Sequence, residues 1–141
     1  MAFTTQTRLE AKITAARLLR YGDRDRDNTL DATTLLQAVA SADAKIIASL
    51  RPRYGAQVDD WTSATTDPDI DLLLDVADSL GLYYFAVGSG NAVNEPITLM
   101  YNDAIETLRM LRDYEINLPG VLDTGTYDVY TDETDSDFDE D

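Results

Sequence analysis

The chain has 141 residues and no cysteine or histidine, a length that holds one domain with a modest core and excludes a two-domain enzyme. Without those side chains there are no disulfides, thiol nucleophiles, imidazole bases or zinc sites of sulfur and nitrogen ligands, which removes most enzyme chemistry. Twenty-seven acidic residues against 11 basic ones set the net charge at −16, and so few cations argue against a sequence-general grip on nucleic-acid phosphates.

The choice of charged residue is unusual. Asp outnumbers Glu 21 to 6 and Arg outnumbers Lys 9 to 2. Short, dense carboxylates keep a surface hydrated when water is scarce, and at ~1 M salt, where the Debye length is ~3 Å, their mutual repulsion is screened. The composition therefore points to a halophilic source, the alternative being an ordinary acidic mesophile protein. No signal-like start is visible and no apolar run nears the ~18–20 residues of a membrane span, so the chain is expected to be soluble and intracellular when made.

In chain order, Thr7 with Glu10 reads as a capping box, and Leu9, Ile13 and Ala16 follow at helical spacing, predicting a first helix that ends near Tyr21 and Gly22. After a polar loop, Asp31 caps a second helix through about Leu50, with Leu35, Val39, Ile46 and Leu50 on one face and Pro52 and Gly55 closing it. Asp67 and Pro68 open a third, in which Ile70, Leu73, Ala77, Leu80, Tyr84 and Val87 alternate spacings of three and four. Asp71, Asp75 and Asp78 fall on its opposite face, where water is expected to cover them. Asn94, before Glu95 and Pro96, starts a fourth helix carrying Ile97, Tyr101, Ala104, Leu108 and Leu111 and ending around Asn117.

The fold class that follows is all-α, a small four-helix bundle with an extended acidic C-terminal tail. Residues 1–122 form the helical domain, with 18 acids and 11 bases; residues 123–141 hold nine acids and no base. Such a tail cannot bury enough apolar surface to offset its ordering entropy, so it is expected to stay disordered until a partner orders it. Tyr127, Tyr130 and Phe138 are its anchor candidates.

The loop from Asp23 to Asp31 resembles the first nine positions of a calcium-binding EF-hand loop, with Asp23, Asp25, Asp27 and Asp31 at ligand positions and Leu30 at the apolar one. Asn28 stands where glycine is usual, and Thr34 stands where the bidentate carboxylate is needed. The plainer reading is a polar turn neutralised by Arg24 and Arg26. Pairs such as Asp59 with Asp60, or Asp67 with Asp69 and Asp71, read as solvated surface in a chain with so many aspartates. There is no phosphate-cradling glycine loop and no nucleophile elbow. Six bases against three acids in the first 26 residues give a local +3, and Arg17, Arg20 and Arg24 are expected to receive acidic groups from a neighbouring copy or a partner.

Three blocks carry a resemblance: Asp25-Arg-Asp27 with Leu30-Asp31; Leu36-Gln-Ala-Val-Ala-Ser-Ala-Asp-Ala-Lys-Ile46; and Leu50-Arg-Pro-Arg-Tyr54. Together with Asp67-Pro68, Asp75-Val-Ala77, Tyr101-Asn-Asp-Ala-Ile-Glu-Thr-Leu108 and Ile116-Asn-Leu-Pro-Gly120, this ordered set is similar to the head-tail connector (adaptor) proteins of tailed double-stranded DNA viruses. The resemblance runs from about Thr5 to Gly120. It implies a virion protein, assembled in the host cytoplasm, that forms a ring, commonly of twelve copies, at the head–tail interface. The ring would dock on the portal protein, present a platform to the next neck or tail-completion protein, and pass DNA through its lumen without sequence-specific binding. It also implies no enzyme activity, no cofactor and no membrane; with the composition, the expected source is a virus of a halophilic archaeon. Two other readings stand beside it: a small Ca²⁺-binding protein using the Asp23–Asp31 loop, and an acidic DNA mimic that occupies a DNA-binding enzyme.

Overall fold

A computed structural model describes residues 2–22, 32–66, 68–90 and 95–121. Within them the protein is all-α: α1 (Gln6–Ile13), α2 (Ala15–Gly22), α3 (Ala32–Tyr54), a 3-10 turn (Gly55–Asp60), α4 (Asp71–Gly88) and α5 (Glu95–Arg112). No strand occurs among the described residues.

The centre of the bundle is α4. Its apolar residues occupy most of its circumference, which is the signature of a helix buried on all sides. Leu73, Leu74, Val76, Ala77, Leu80, Leu82, Phe85 and Ala86 are all buried. One side packs on α3 and α5, forming a core with Ala42, Ile46, Leu50, Tyr54, Ala104, Leu108 and Leu111 that is closed at one end by Val58, Trp61 and Leu118. The side expected to face water is covered instead by α1 and α2, where Leu9 and Leu18 join Leu35, Ala38, Leu82 and Phe85 in a second cluster.

Asp71 and Asp75 are exposed as expected, but Asp78 is buried. The outer end of the predicted stripe is corrected too. Tyr84 is half-buried and Val87 is exposed, while Phe85, Ala86 and Ser89 are buried, so at this end of α4 the covered face has turned away from the predicted stripe. Gly81 makes the close approach of α1 possible, since a Cβ there would lie 3.3 Å from Thr4 Cγ2 and 3.7 Å from Leu9 Cδ2.

The predicted first helix is two helices. Thr5, rather than Thr7, caps α1, its side chain accepting from the Arg8 N–H. The backbone then breaks at Thr14, whose φ of 82° lies in the region a β-branched residue rarely enters. Thr14 N–H still bonds to the Glu10 carbonyl, while its hydroxyl accepts from Arg17 N–H and caps α2. The break resets the helical phase, so Leu18 is buried while Ala16 is exposed and Ile13 is half-buried.

α3 overruns its predicted end. Pro52 falls in the last turn, where losing one backbone donor costs least, and Gly55 at φ 76° supplies the left-handed stop. α5 ends earlier than expected, at Arg112. The capping positions Asp31, Asp67 and Asn94 lie outside the described residues, as does the tail from residue 122 onward.

Candidate interaction surfaces

The buried charged side chains among the described residues, Asp78 and Arg53, anchor two polar nodes. At the first, the Asp78 carboxylate, with its side chain 4% exposed, accepts from Arg8 Nε at 3.1 Å, Arg8 Nη2 at 2.9 Å and Thr4 Oγ1 at 2.7 Å. The two-pronged guanidinium contact matches carboxylate geometry, and this hydrogen bond holds Arg8 above its ordinary pKa. Beside it, Phe3 N–H donates to Asp43 Oδ1 at 2.9 Å, tying the N-terminal segment to α3. Burial pushes the Asp43 carboxyl above the usual value, and the Phe3 hydrogen bond opposes the shift.

The second node is Arg53 on the last turn of α3, 3% exposed. Its guanidinium donates to the Leu111 carbonyl, to the Ile116 carbonyl at 2.8 Å and to the Asn117 side-chain oxygen, and lies over the Tyr54 and Tyr114 rings at 4.7 and 4.3 Å. Tyr54 Oη accepts from Leu118 N–H at 3.3 Å. The Arg53-Tyr54 pair and the Ile116–Gly120 exit, far apart in sequence, therefore form one clasp where the chain leaves α5.

Ion pairs mark much of the remaining surface, among exposed apolar side chains such as Leu36 and Leu99. Arg109 draws in Glu106, Asp113 and Glu115, and Arg112 pairs with Asp113. Their hydrogen bonds to Arg109 and Arg112 respectively hold the Glu106 and Asp113 carboxyls below the usual range. Lys12 lies 3.6 Å from Asp75, and Arg51 lies 3.2 Å from Asp59. Arg17 and Arg20 are exposed on α2, and among the described residues neither has an ion pair or a side-chain hydrogen bond.

Between α4 and α5 runs a shallow groove of about 340 Å³ lined by Leu72, Val76, Met100 and Ala104, with Lys12, Asp75 and Asp103 at its rim. Further along the same two helices, Tyr83 stacks on Tyr101 at 3.9 Å with Tyr84 edge-on to both. Burial and the hydroxyls of Tyr101 and Tyr83 push Tyr84 up to about 12.

Of the candidate contact residues, Arg17 and Arg20 form an exposed basic pair on α2. The other candidates, Arg24, Tyr127, Tyr130 and Phe138 for contacts and Asp23, Asp25, Asp27 and Asp31 for a cation, lie outside the described residues. Among the described residues no group of three or more acidic side chains is arranged to hold a metal. Asp59 is engaged by Arg51, and Asp69, just ahead of α4, accepts from Asp71 N–H at 3.1 Å. No helix among the described residues is long and apolar enough to cross a membrane.

The buried charged side chains of this bundle, Asp78 and Arg53, pin its own segments, and Arg17 and Arg20 stand exposed on α2. Residues 3–127 match the family described as Bacteriophage Mu, Gp36. The chain belongs to that family, which makes it a bacteriophage protein of structural, virion-associated type. No curated protein and no solved structure matches it.

Proposed function

We propose that this protein is the head-tail connector of a tailed virus, a ring of about twelve copies that docks on the portal, carries the next neck or tail-completion protein, and lets DNA pass through its lumen. The observation that carries the reading is the match to a phage family over nearly the whole bundle and its exit segment. The physical chemistry is compatible with it. A surface dense in carboxylates repels phosphates, so DNA slides past without sticking. The protein's task would then be geometric, with no substrate and no cofactor. Twelve copies would concentrate roughly −190 of charge in one ring, so assembly needs screening and basic counter-surfaces. The same arithmetic, with the excess of Asp over Glu, supports a virus of a halophilic host.

The test is to mix the full chain with the portal of the same virus in ~1 M salt and examine the product by electron microscopy and light scattering. A ring stacked on the portal is expected, together with tailless capsids when the gene is removed. Normal tailed particles without the protein, and no portal affinity, would sink the proposal.

A further inference from the structure

The bundle is electrically lopsided along its length. Leu18 of α2 packs on Leu35 and Ala38 near the start of α3, whereas the chain exit is clasped at Arg53 and Tyr54 at the end of α3. At 1.5 Å per residue those sites stand roughly 25–30 Å apart. Successive residues of α2 turn by about 100°, which sets Arg17 and Arg20 about 60° from each other and opposite the Leu18–Leu19 side that faces the bundle. Among the described residues they and Lys45 are the cations with neither an ion pair nor a side-chain hydrogen bond, in a protein with 27 acids. At the far end, the twenty residues after Val121 carry nine acids and no base, and reach about 65–70 Å when extended.

Among the described residues the cations beside the exit are already engaged: Arg109 and Arg112 by Glu106, Asp113 and Glu115, and the buried Arg53 by the Leu111 and Ile116 carbonyls and the Asn117 side chain. Like charge disfavours packing of an acidic segment on the exit face, and the exposed Arg17–Arg20 pair at the opposite end of another copy offers it a surface of opposite charge within its reach. We infer that the C-terminal acidic segment of one copy docks on the Arg17–Arg20 face of the next, a head-to-tail contact. Such a heterologous contact repeats from copy to copy and closes into a ring when the rotation allows. The inference rests on the ring reading and specifies what joins its members. Arginine forks suit the task because each can take a carboxylate with two parallel bonds, and the contact gains from several weak pairs acting together.

The experiment uses the full chain. R17K/R20K keeps both charges and supplies amines, and a one-to-one mixture of unlabelled and ¹⁵N-labelled protein is treated with a zero-length carbodiimide cross-linker. Cross-links from positions 17 or 20 to acids of 132–141 that join the two isotopes are expected. Cross-links confined to one isotope would show the tail folding onto its own α2, and their absence would show no contact at all; either result overturns the inference. By sedimentation at one fixed salt, R17E/R20E should associate at least about tenfold more weakly than wild type, while circular dichroism shows the fold intact. Unchanged association overturns it as well. A ring that still forms on the portal with R17E/R20E would sink this contact and leave the connector reading standing.

Discussion

Removing either partner of the Arg8–Asp78 pair should not cost the same. In R8A the Asp78 carboxylate, with 4% of its side chain exposed, keeps only the Thr4 hydroxyl. An uncompensated buried charge costs about 3–5 kcal/mol. Arg8 was itself 32% exposed and its interactions partly screened, which puts the loss at the lower end, about 3 kcal/mol. In D78N the shape persists and the Arg8 head turns to water, so the cost is about 1–2 kcal/mol. R8A/D78N should then cost less than the sum, because the second change removes the charge that the first stranded; a coupling of about 1–2 kcal/mol is expected.

Urea unfolding at fixed salt and pH reads these differences. With a slope of about 1.5–2 kcal/mol/M, R8A should lower the midpoint by about 1.5–2 M. The deficit should persist at ~1 M salt, since a buried pair is poorly screened. Additive single-mutant effects, or an R8A variant no less stable than D78N, would refute the idea that burial sets the asymmetry.

Asp43 gives a pH signature. Its raised pKa means the folded chain holds that proton to a higher pH than the unfolded chain, so stability falls as pH rises from the ordinary Asp range through the folded value. D43N keeps the acceptor for Phe3 N–H without the charge; it should be more stable than wild type at neutral pH, with the gap closing on acidification in parallel urea titrations. At Gly81, alanine should yield none of the ~1 kcal/mol of helix propensity it normally brings, because Thr4 is tied to Asp78 and cannot give way; valine should cost about 2 kcal/mol, seen as a lower melting temperature. R53K loses the fork that spans three acceptors and should cost about 2–3 kcal/mol, with faster amide exchange at residues 116–121. Tyrosinate absorbance should show Tyr84 ionising near 12, and folded stability declining as pH climbs from 10.0 toward that value.

The three long helices were legible because their apolar residues recur at spacings that a single buried face enforces. Leu73, Ala77, Leu80, Leu108 and Leu111 are all buried where periodicity places them. What periodicity misses is a helix covered twice. Nothing at Asp78 distinguishes it from Asp75 in sequence, and only Gly81, a gap one turn further on, hints that another segment presses there. The break at Thr14 was invisible because alanine and leucine on both sides favour helix. Of the candidate surface, the basic pair on α2 was readable from local charge balance. The Arg53 clasp was not: its motif halves lie about sixty residues apart, and their meeting is a matter of tertiary geometry.

That clasp governs how tension on the C-terminus would travel. Pulling on an ordinary helix end unravels it one turn at a time; here the segment 116–118 is cleated to the final turn of α3, so a tug reaches Arg53 and Tyr54 before α5 can fray. The exit from α5 is thereby moored to a helix that precedes it by about sixty residues, and a load applied there is shared between two helices from the outset.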